Sequence, residues 1–395
     1  MRDRSPSHPA EARACICDVN VQHSPPTDEA MKRRISLCLL FGGKSAEHEV
    51  SLQSARSIVA ALDRRKYALT LVGIDRLGVW RRYEPGDFLR RADDPKRIRL
   101  APAGRPVALV PGPKGAQLVT LSGPRESRRV DVVFPALHGP FGEDGTVQGL
   151  AMMAGAAVVG ADVLGSAVGM DKEVMKRLLR DARLPIGRFL VFRREAKGAL
   201  RFDRVRAALG MPVFVKPANL GSSVGISKAR NRAELARAVR EAFRYDDKIV
   251  IEEFIDGREI ECSVLGNERP VASLPGEIIP KHEFYSYEAK YIDDKGALLV
   301  IPVDLPRPVL DRIRDLAVRS YRALCCEGMA RVDLFLKGGK HVFVNEINTI
   351  PGFTRISMYP KLWEATGMRY GELLDRLIAL AVRRHERKRV LSSAL

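Results

Sequence analysis

Long apolar runs are missing from this 395-residue sequence. None approaches the roughly twenty consecutive apolar residues a membrane-spanning helix needs, so no membrane role is expected. The opening MRDRSPSHPAEARACICDVN carries no apolar export-signal core, and a cytoplasmic protein is the expectation. Cysteine is sparse. Cys15, Cys17, Cys38, Cys262, Cys325 and Cys326 are scattered without zinc spacing. A disulfide framework is not expected in so large a chain without an export signal, and Cys325-Cys326 reads as two reduced thiols at the core or its boundary. There is no G-x-G-x-x-G and no P-loop, so a dinucleotide is not indicated. Aromatic residues make up only 6%.

Positive charge, by contrast, is abundant, with a net +18. Nucleic acid is the first partner such a balance brings to mind. The placement argues against it: the basic excess is spread over 81–99, 125–129 and 383–389, and only Tyr83 and Phe88 fall inside these runs. Two rings are too few for a base-stacking platform. A solvated basic surface that also favours an anionic substrate is the better account, and no nucleic-acid partner is expected. At 46% hydrophobic residues the chain has ample core for two or three domains.

Residues 1–32 show no hydrophobic period and read as a disordered leader. A buried strand at 35–41 runs through Gly42-Gly43 into a helix over 51–62. Such a strand–glycine–helix passage opens a Rossmann-like unit whose helix N-terminus can meet an anion. Further strands are predicted at 67–74 and 130–137, with short strands and loops over 79–120 between them. His138-Gly139-Pro140-Phe141-Gly142-Glu143 follows the second of these, where open α/β sheets bind ligands; His138 either contacts substrate or satisfies a turn. A helix over 146–154 and a short strand over 156–160 close the domain. Asp171 is predicted to cap a helix running to 183. A helix over 202–209 leads into a strand ending at Lys216. The loop Asn219-Leu220-Gly221-Ser222-Ser223-Val224-Gly225 then either wraps phosphate with its N–H groups or is an ordinary turn. Glu252, Glu253 and Glu259 interrupt strands over 248–255 and 258–265, as ligand acceptors or as solvated strand ends. The aromatic-rich loop KHEFYSYEAKYIDDK over 281–295 is long enough to suggest function.

The stretch RVDLFLKGGKHVFVNEINTIPGFTRIS (331–357) carries the chemistry. Alternation about Gly338-Gly339 predicts a hairpin. A two-residue turn would pair Lys337 with Lys340 and set Arg331 opposite Glu346. Period two then places Arg331, Asp333, Val344, Glu346 and Asn348 on one face, with Val332, Leu334, Phe343 and Asn345 on the other. Asp333, Glu346 and Asn348 are hard oxygen ligands suited to Mg²⁺, above all when phosphates complete its shell. An exposed Asp-Arg-Glu lattice is the competing reading.

Taken together, A-E-H-E-V-S, H-G-P-F-G-E-D-G, V-K-P then G-S-S-V-G, Y-E-A-K-Y, R-V-D and N-E-I-N-T-I-P-G-F-T, in this order and spacing over about 35–382, resemble the D-alanine–D-alanine ligases, ATP-grasp enzymes of peptidoglycan synthesis. E-A-K-Y and I-S-M-Y-P-K-L-W look most like the A-type enzymes. The resemblance implies an α/β, three-domain ATP-grasp fold. After the leader would come a Rossmann-like N-terminal substrate domain (33–154) and a central subdomain (155–247). A C-terminal subdomain (248–386) would hold the metal site and a lid loop over 281–297, followed by a basic tail (387–395).

The same resemblance implies roles for single residues. Lys172, Lys216 and Ser223 would hold ATP phosphates and Lys290 the γ-phosphate. Glu252 would accept from the adenine amino group, with backbone beside Glu253 and Ile255, and Glu259 would take the ribose. Asp333, Glu346 and Asn348 would carry two Mg²⁺ ions, with Mn²⁺ an alternative. Glu47 would bind the first D-alanine's ammonium and form a triad with Ser222 and Tyr291. His138 would lie near that substrate's carboxylate. Arg331 and the Gly352 N–H would stabilise the oxyanion, and Ser357 would bind the second D-alanine. The implied assembly is a homodimer. Two alternatives are a D-alanine–D-lactate ligase of the same fold, which Tyr291 in Y-E-A-K-Y disfavours, and a basic nucleic-acid-binding protein.

Overall fold

Leucine- and valine-rich runs become central strands in the computed structural model, which describes residues 34–221, 224–280 and 297–391. The leader and the triad and lid residues Ser222, Ser223, Lys290 and Tyr291 lie outside the described residues.

The first layer is built by β1 (Ile35–Gly42), α1 (His48–Ala61), β2 (Tyr67–Ile74), β3 (Trp80–Tyr83), the short β4 (Leu89–Arg90) and β5 (Arg99–Leu100), β6 (Arg105–Val110), β7 (Gln117–Thr120), β8 (Ser127–Arg129), β9 (Val132–Ala136), α2 (Thr146–Ala154) and β10 (Ala157–Val158). Eight strands form one sheet in the order β10-β9-β1-β2-β3-β6-β7-β8. β1 is parallel to both β2 and β9, so the strand ends Gly42 and Ala136 and the turns that follow them emerge on the same edge. Gly42 and Gly43 have φ of 91° and 96°, a region that glycine enters without steric cost. A Cβ on Gly42 would also lie 2.2 Å from the Ile74 carbonyl oxygen.

The second layer follows α3 (Val163–Met170), a helix the sequence reading passed over, and α4 (Lys172–Asp181). It contains β11 (Phe189–Arg193), α5 (Phe202–Leu209), β12 (Val213–Pro217), β13 (Ser227–Ala229), α6 (Arg232–Ala242) and β14 (Lys248–Glu253), with sheet order β11-β14-β12-β13. β14 is an inner strand, paired antiparallel to both β11 and β12. The segment 248–253 therefore belongs to this sheet, not to the C-terminal one as a boundary at 247 assumes. Ile249, Val250 and Ile251 are all fully buried, as an apolar run requires in a strand covered on both faces.

The third layer comprises β15 (Arg258–Gly266), β16 (Val271–Ala272), β17 (Gly276–Pro280), β18 (Ala297–Val300), α7 (Arg307–Ala323), β19 (Gly328–Lys337) and β20 (His341–Asn348), closed by α8 (Met358–Ala365) and α9 (Tyr370–Arg389). The path β18-β17-β15-β19-β20 puts β19 beside both β15 and β20. α9 continues through 387–389, where a tail was expected. Arg387 pairs with Glu327 and Glu268, and Lys388 with Asp162. The helix packs Leu373, Leu374, Leu377 and Ile378 into the same core as Leu37, Leu39, Leu52 and Ile58 of the first layer. Buried Arg384 donates to the carbonyls of Val158 and Gly160.

The predicted hairpin is present, with a different register. Lys337 faces His341, so the turn holds three residues, and Leu334 faces Val344. The register then shifts again: Asp333 faces Glu346 and Arg331 faces Asn348, which leaves Asn345 as the extra residue of a bulge. Val344 consequently lies in the core with Val332 and Leu334 rather than on the polar face. Arg331 is not opposite Glu346.

Candidate active site

With the three-residue turn alone Asp333 would face Asn345; the bulge sets it opposite Glu346, so that Asp333, Glu346 and Asn348 share a face. Glu261 on β15 stands opposite Asp333, so Glu261, Asp333 and Glu346 line up across three strands. Arg331 binds Asp333 as a fork, Nε to Oδ1 and Nη2 to Oδ2 at 2.7 Å each, and its Nε lies 2.9 Å from Glu261 Oε2. Asn348 Nδ2 donates to Asp333 Oδ2 at 3.1 Å. Among the described residues no group of three or more His, Cys, Asp or Glu side chains is arranged to hold a metal by itself. Two carboxylates and an amide oxygen are a set that fits Mg²⁺ when phosphate oxygens supply the remaining ligands.

Opposite this face stand the lysines. Asp171 caps α4 as predicted, its Oδ1 accepting from the Glu173 and Val174 N–H groups at 3.0 Å. That cap fixes Lys172 in the first turn, 6% exposed, with Nζ donating to the Leu220 carbonyl at 2.6 Å and lying 3.8 Å from Glu346 Oε2. Lys216 ends β12 with Nζ 2.9 Å from Glu252 Oε2. Burial alone would lower the Lys216 pKa, but Glu252 and Glu346 carry it above its ordinary value. Glu252 is the converse: burial would raise its pKa, and Lys176 and Lys216 hold the carboxyl below its usual range. Its other oxygen, Oε1, faces Lys176 at 3.3 Å. Oε2 of Glu252 is thus hydrogen-bonded to Lys216, while Oε1 is buried beside Lys176 without a hydrogen bond among the described residues.

Between the two faces runs a cleft lined by Lys172, Lys216, Glu252, Ile255, Glu259, Asp333 and Glu346, with Phe214, Ile226, Phe254 and Phe335 as apolar walls. Glu253 reaches the same cleft, but its carboxylate binds Arg188, accepting from the Arg188 N–H and Nε at 2.7 Å each. Eight of the sequence-predicted residues therefore converge on one cleft with both charged and apolar walls.

A smaller recess adjoins it, lined by Glu47, His138, Glu143, Gly221, Arg331, Glu346, Asn348 and Gly352. Glu346 lines both spaces. Glu47 is 6% exposed, and its Oε2 lies so near Gly139 and Gly221 that a Cβ there would stand 2.8 and 3.4 Å away. His138 has both nitrogens taken: Nδ1 meets the Ile350 carbonyl at 3.0 Å and Nε2 the Ser54 hydroxyl at 3.2 Å. Only a donor can meet a carbonyl, so Nδ1 carries the proton and Nε2 accepts. Burial pulls the ring's pKa down, so it is neutral. His138 lines the recess, but it is held by protein rather than free for a carboxylate. Ser357 lies against Gly352, where a Cβ would come within 2.6 Å of its Oγ, and that oxygen accepts from the Thr354 N–H at 3.0 Å.

Four residues went unflagged in the sequence. Glu143 accepts from the N–H groups of Gly139 (2.8 Å) and Ile350 (3.1 Å), stitching the histidine loop to the strand exit after β20. Burial, reinforced by Glu47, pushes its pKa up to about 8. Ser54 accepts from the Phe353 N–H as well as meeting His138. Glu261 braces Arg331, and Lys176 braces Glu252. Glu143 sits inside the H-G-P-F-G-E-D-G motif, which could have signalled it; the other three carry no local pattern.

The model of the D-ala D-ala ligase N-terminus matches residues 36–161, and that of the D-ala D-ala ligase C-terminus matches residues 178–379. A D-alanine–D-alanine ligase of Shouchella clausii is 52% identical over 364 residues, 92% of this chain and 98% of that protein. The D-alanine–D-alanine ligase A of Salmonella typhimurium is 50% identical over 362 residues, 92% of this chain and 100% of that protein. The solved D-alanine–D-alanine ligase from Coxiella burnetii aligns with a TM-score of 0.79 at 39% identity, over 91% of this chain and 97% of that one. The cleft between an acidic face and buried lysines, with a polar recess beside it, thus sits in a chain that belongs to the D-alanine–D-alanine ligase family.

Proposed function

We propose that this chain joins two D-alanines into D-alanyl-D-alanine for peptidoglycan precursor synthesis, with ATP converted to ADP and phosphate. The observation that supports this reading is the meeting of cleft and recess at Glu346, where a nucleotide's last phosphate would lie beside a small amino acid.

A carboxylate cannot expel oxide, so the first D-alanine's carboxylate oxygen attacks the γ-phosphorus of ATP. ADP leaves and an acyl phosphate forms. The second D-alanine, as free amine, attacks the acyl carbon, and the tetrahedral oxyanion collapses with loss of phosphate while the nitrogen sheds its extra proton. The protein's part is positioning and charge stabilisation. We assign Lys172 and Lys216 to the α/β-phosphates, with Ser223, and Lys290 to the γ-phosphate. Two Mg²⁺ ions, replaceable by Mn²⁺, would be held by Asp333, Glu346 and Asn348 and would neutralise phosphate charge. Glu252, through its Oε1, accepts from the adenine amino group, with backbone beside Glu253 and Ile255, and Glu259 takes the ribose. Glu47 takes the first ammonium and joins Ser222 and Tyr291; Arg331 and the Gly352 N–H face the oxyanion; Ser357 takes the second carboxylate. His138 shapes the recess as a neutral, fixed wall.

Glu346 lies 3.8 Å from Lys172, and Asp333 pairs with Arg331. Phosphate at the lysine and metal at the carboxylate would take the place of these pairings, so that neither charge would be left bare in the cleft. No helix among the described residues is long and apolar enough to cross a membrane. The chain acts as a homodimer in this reading, through the apolar face that α2 and α3 leave exposed with Leu150, Met153, Val163 and Leu164.

Phosphate release with ATP, Mg²⁺ and D-alanine tests the assignment, and L-alanine in its place should give none. D-lactate offered as acceptor near neutral pH should yield little ester. Dominant ester formation there would move the chain to the lactate-using reading.

A further inference from the structure

A buried lysine one turn after Lys172 has no place in the roles above. Lys176 is 2% exposed and ranks among the largest wholly buried side chains. Its Nζ lies 3.3 Å from Glu252 Oε1 and 3.4 Å from the carbonyl oxygen of Asn345. Both partners are telling. Glu252 uses its other oxygen to hold Lys216. Asn345 is the bulge residue, the one position of β20 without a ladder partner on β19, and it directly precedes Glu346. The ammonium therefore ties together α4, an inner strand of the central sheet and the acidic strand of the C-terminal sheet.

The arrangement is a poor way to gain stability. Two lysines face one carboxylate in the interior, so like charges are brought together and three ions lose water. Buried ion sets of this kind are often matched or bettered by apolar side chains of equal volume. Burial lowers the Lys176 pKa and Lys216 adds to that, with Glu252 opposing. What a methionine there could not do is hold two acceptors on different sheets at fixed distance. We infer that Lys176 is a positioning residue for the nucleotide: it fixes Lys216 through Glu252, and it fixes the approach of Glu346 through the Asn345 carbonyl. The inference rests on the reading of Lys216 as a phosphate-holding lysine.

The test is calorimetric binding of ADP, with and without Mg²⁺, to the full chain, so that no turnover is needed. Lys216→Met is measured first; wild-type affinity there would overturn the functional reading itself. With Lys216→Met weakened, Lys176→Met is expected to raise the Kd for ADP with Mg²⁺ at least fivefold. Leu179→Ala, which removes a buried side chain from the same helix, should lower the melting temperature and leave that Kd within twofold. A smaller rise in Lys176→Met, or an equal one in Leu179→Ala, overturns the inference. Should Lys176→Met fail to fold, Lys176→Met/Glu252→Gln is compared with Glu252→Gln for ADP without metal. Affinities within threefold of each other uphold the route through Glu252, and a larger further loss overturns it.

Discussion

Replacing Glu346 by Gln should abolish ligation and leave the fold standing. The side chain is a quarter exposed, and the Lys172 ammonium stands 3.8 Å from its Oε2. A partly exposed pair of that length contributes below about 1 kcal/mol. For a chain of this size the melting temperature should then move by no more than about 4 °C. The catalytic loss is of another order. At an effective dielectric of about 20, two unit charges 4 Å apart interact by roughly 4 kcal/mol. Glutamine withholds that interaction from the divalent cation and from the phosphate charge it gathers. Since each 1.36 kcal/mol is tenfold in rate, turnover should fall by about a thousandfold or more. Phosphate release with saturating D-alanine measures the first quantity and a circular-dichroism melt the second. Turnover within tenfold of wild type in a folded protein would refute the acidic face as the metal and phosphate platform.

Gly352→Ala would thrust a Cβ to 2.6 Å from Ser357 Oγ; the KM for the second D-alanine should rise about tenfold with less change for the first, read from biphasic D-alanine kinetics. Glu143 has a folded pKa near 8, above the unfolded value near 4.5. The folded state thus holds a proton the unfolded chain has lost, so this group's stabilisation is complete below pH 4.5 and drains away as pH climbs to 8. Glu143→Gln stays neutral, so its denaturation midpoint should vary less over pH 5–8 than wild type; an unchanged slope would contradict the burial argument. Met153→Glu, on the exposed face of α2, should convert dimer to monomer by light scattering with little loss of melting temperature.

Local chemistry was the legible part. The strand over 67–74, the helices over 146–154 and 202–209, and the Asp171 cap depend on patterns a few residues long, and the structure carries them where they were expected. The hairpin itself was legible from Gly338-Gly339, but its register was not. A bulge at Asn345 answers to a lysine 169 residues away, and no alternation rule contains that lysine. The same distance hid His138's partners: Ser54 lies 84 residues before it and Ile350 212 after. Motifs found the residues that face the ligand. The residues that hold those in place, Glu261, Lys176 and Ser54, are common types in ordinary surroundings, and only the assembled fold makes them notable.

The closure of the first core by α9 has a bearing on how the chain comes to exist. Arg384 reaches back across 226 residues to cover the Val158 carbonyl, and Leu377 joins the core that also holds Leu37. During synthesis the Rossmann-like sheet is complete in strands long before its last wall is made. Until that helix emerges, the nascent sheet shows water the apolar surface meant for it, and contacts of such long sequence separation form late. The N-terminal part is thus the first to be translated and among the last to be finished. A chain stalled before residue 370 should therefore be held by chaperones, whereas one that has been made through α9 should let them go.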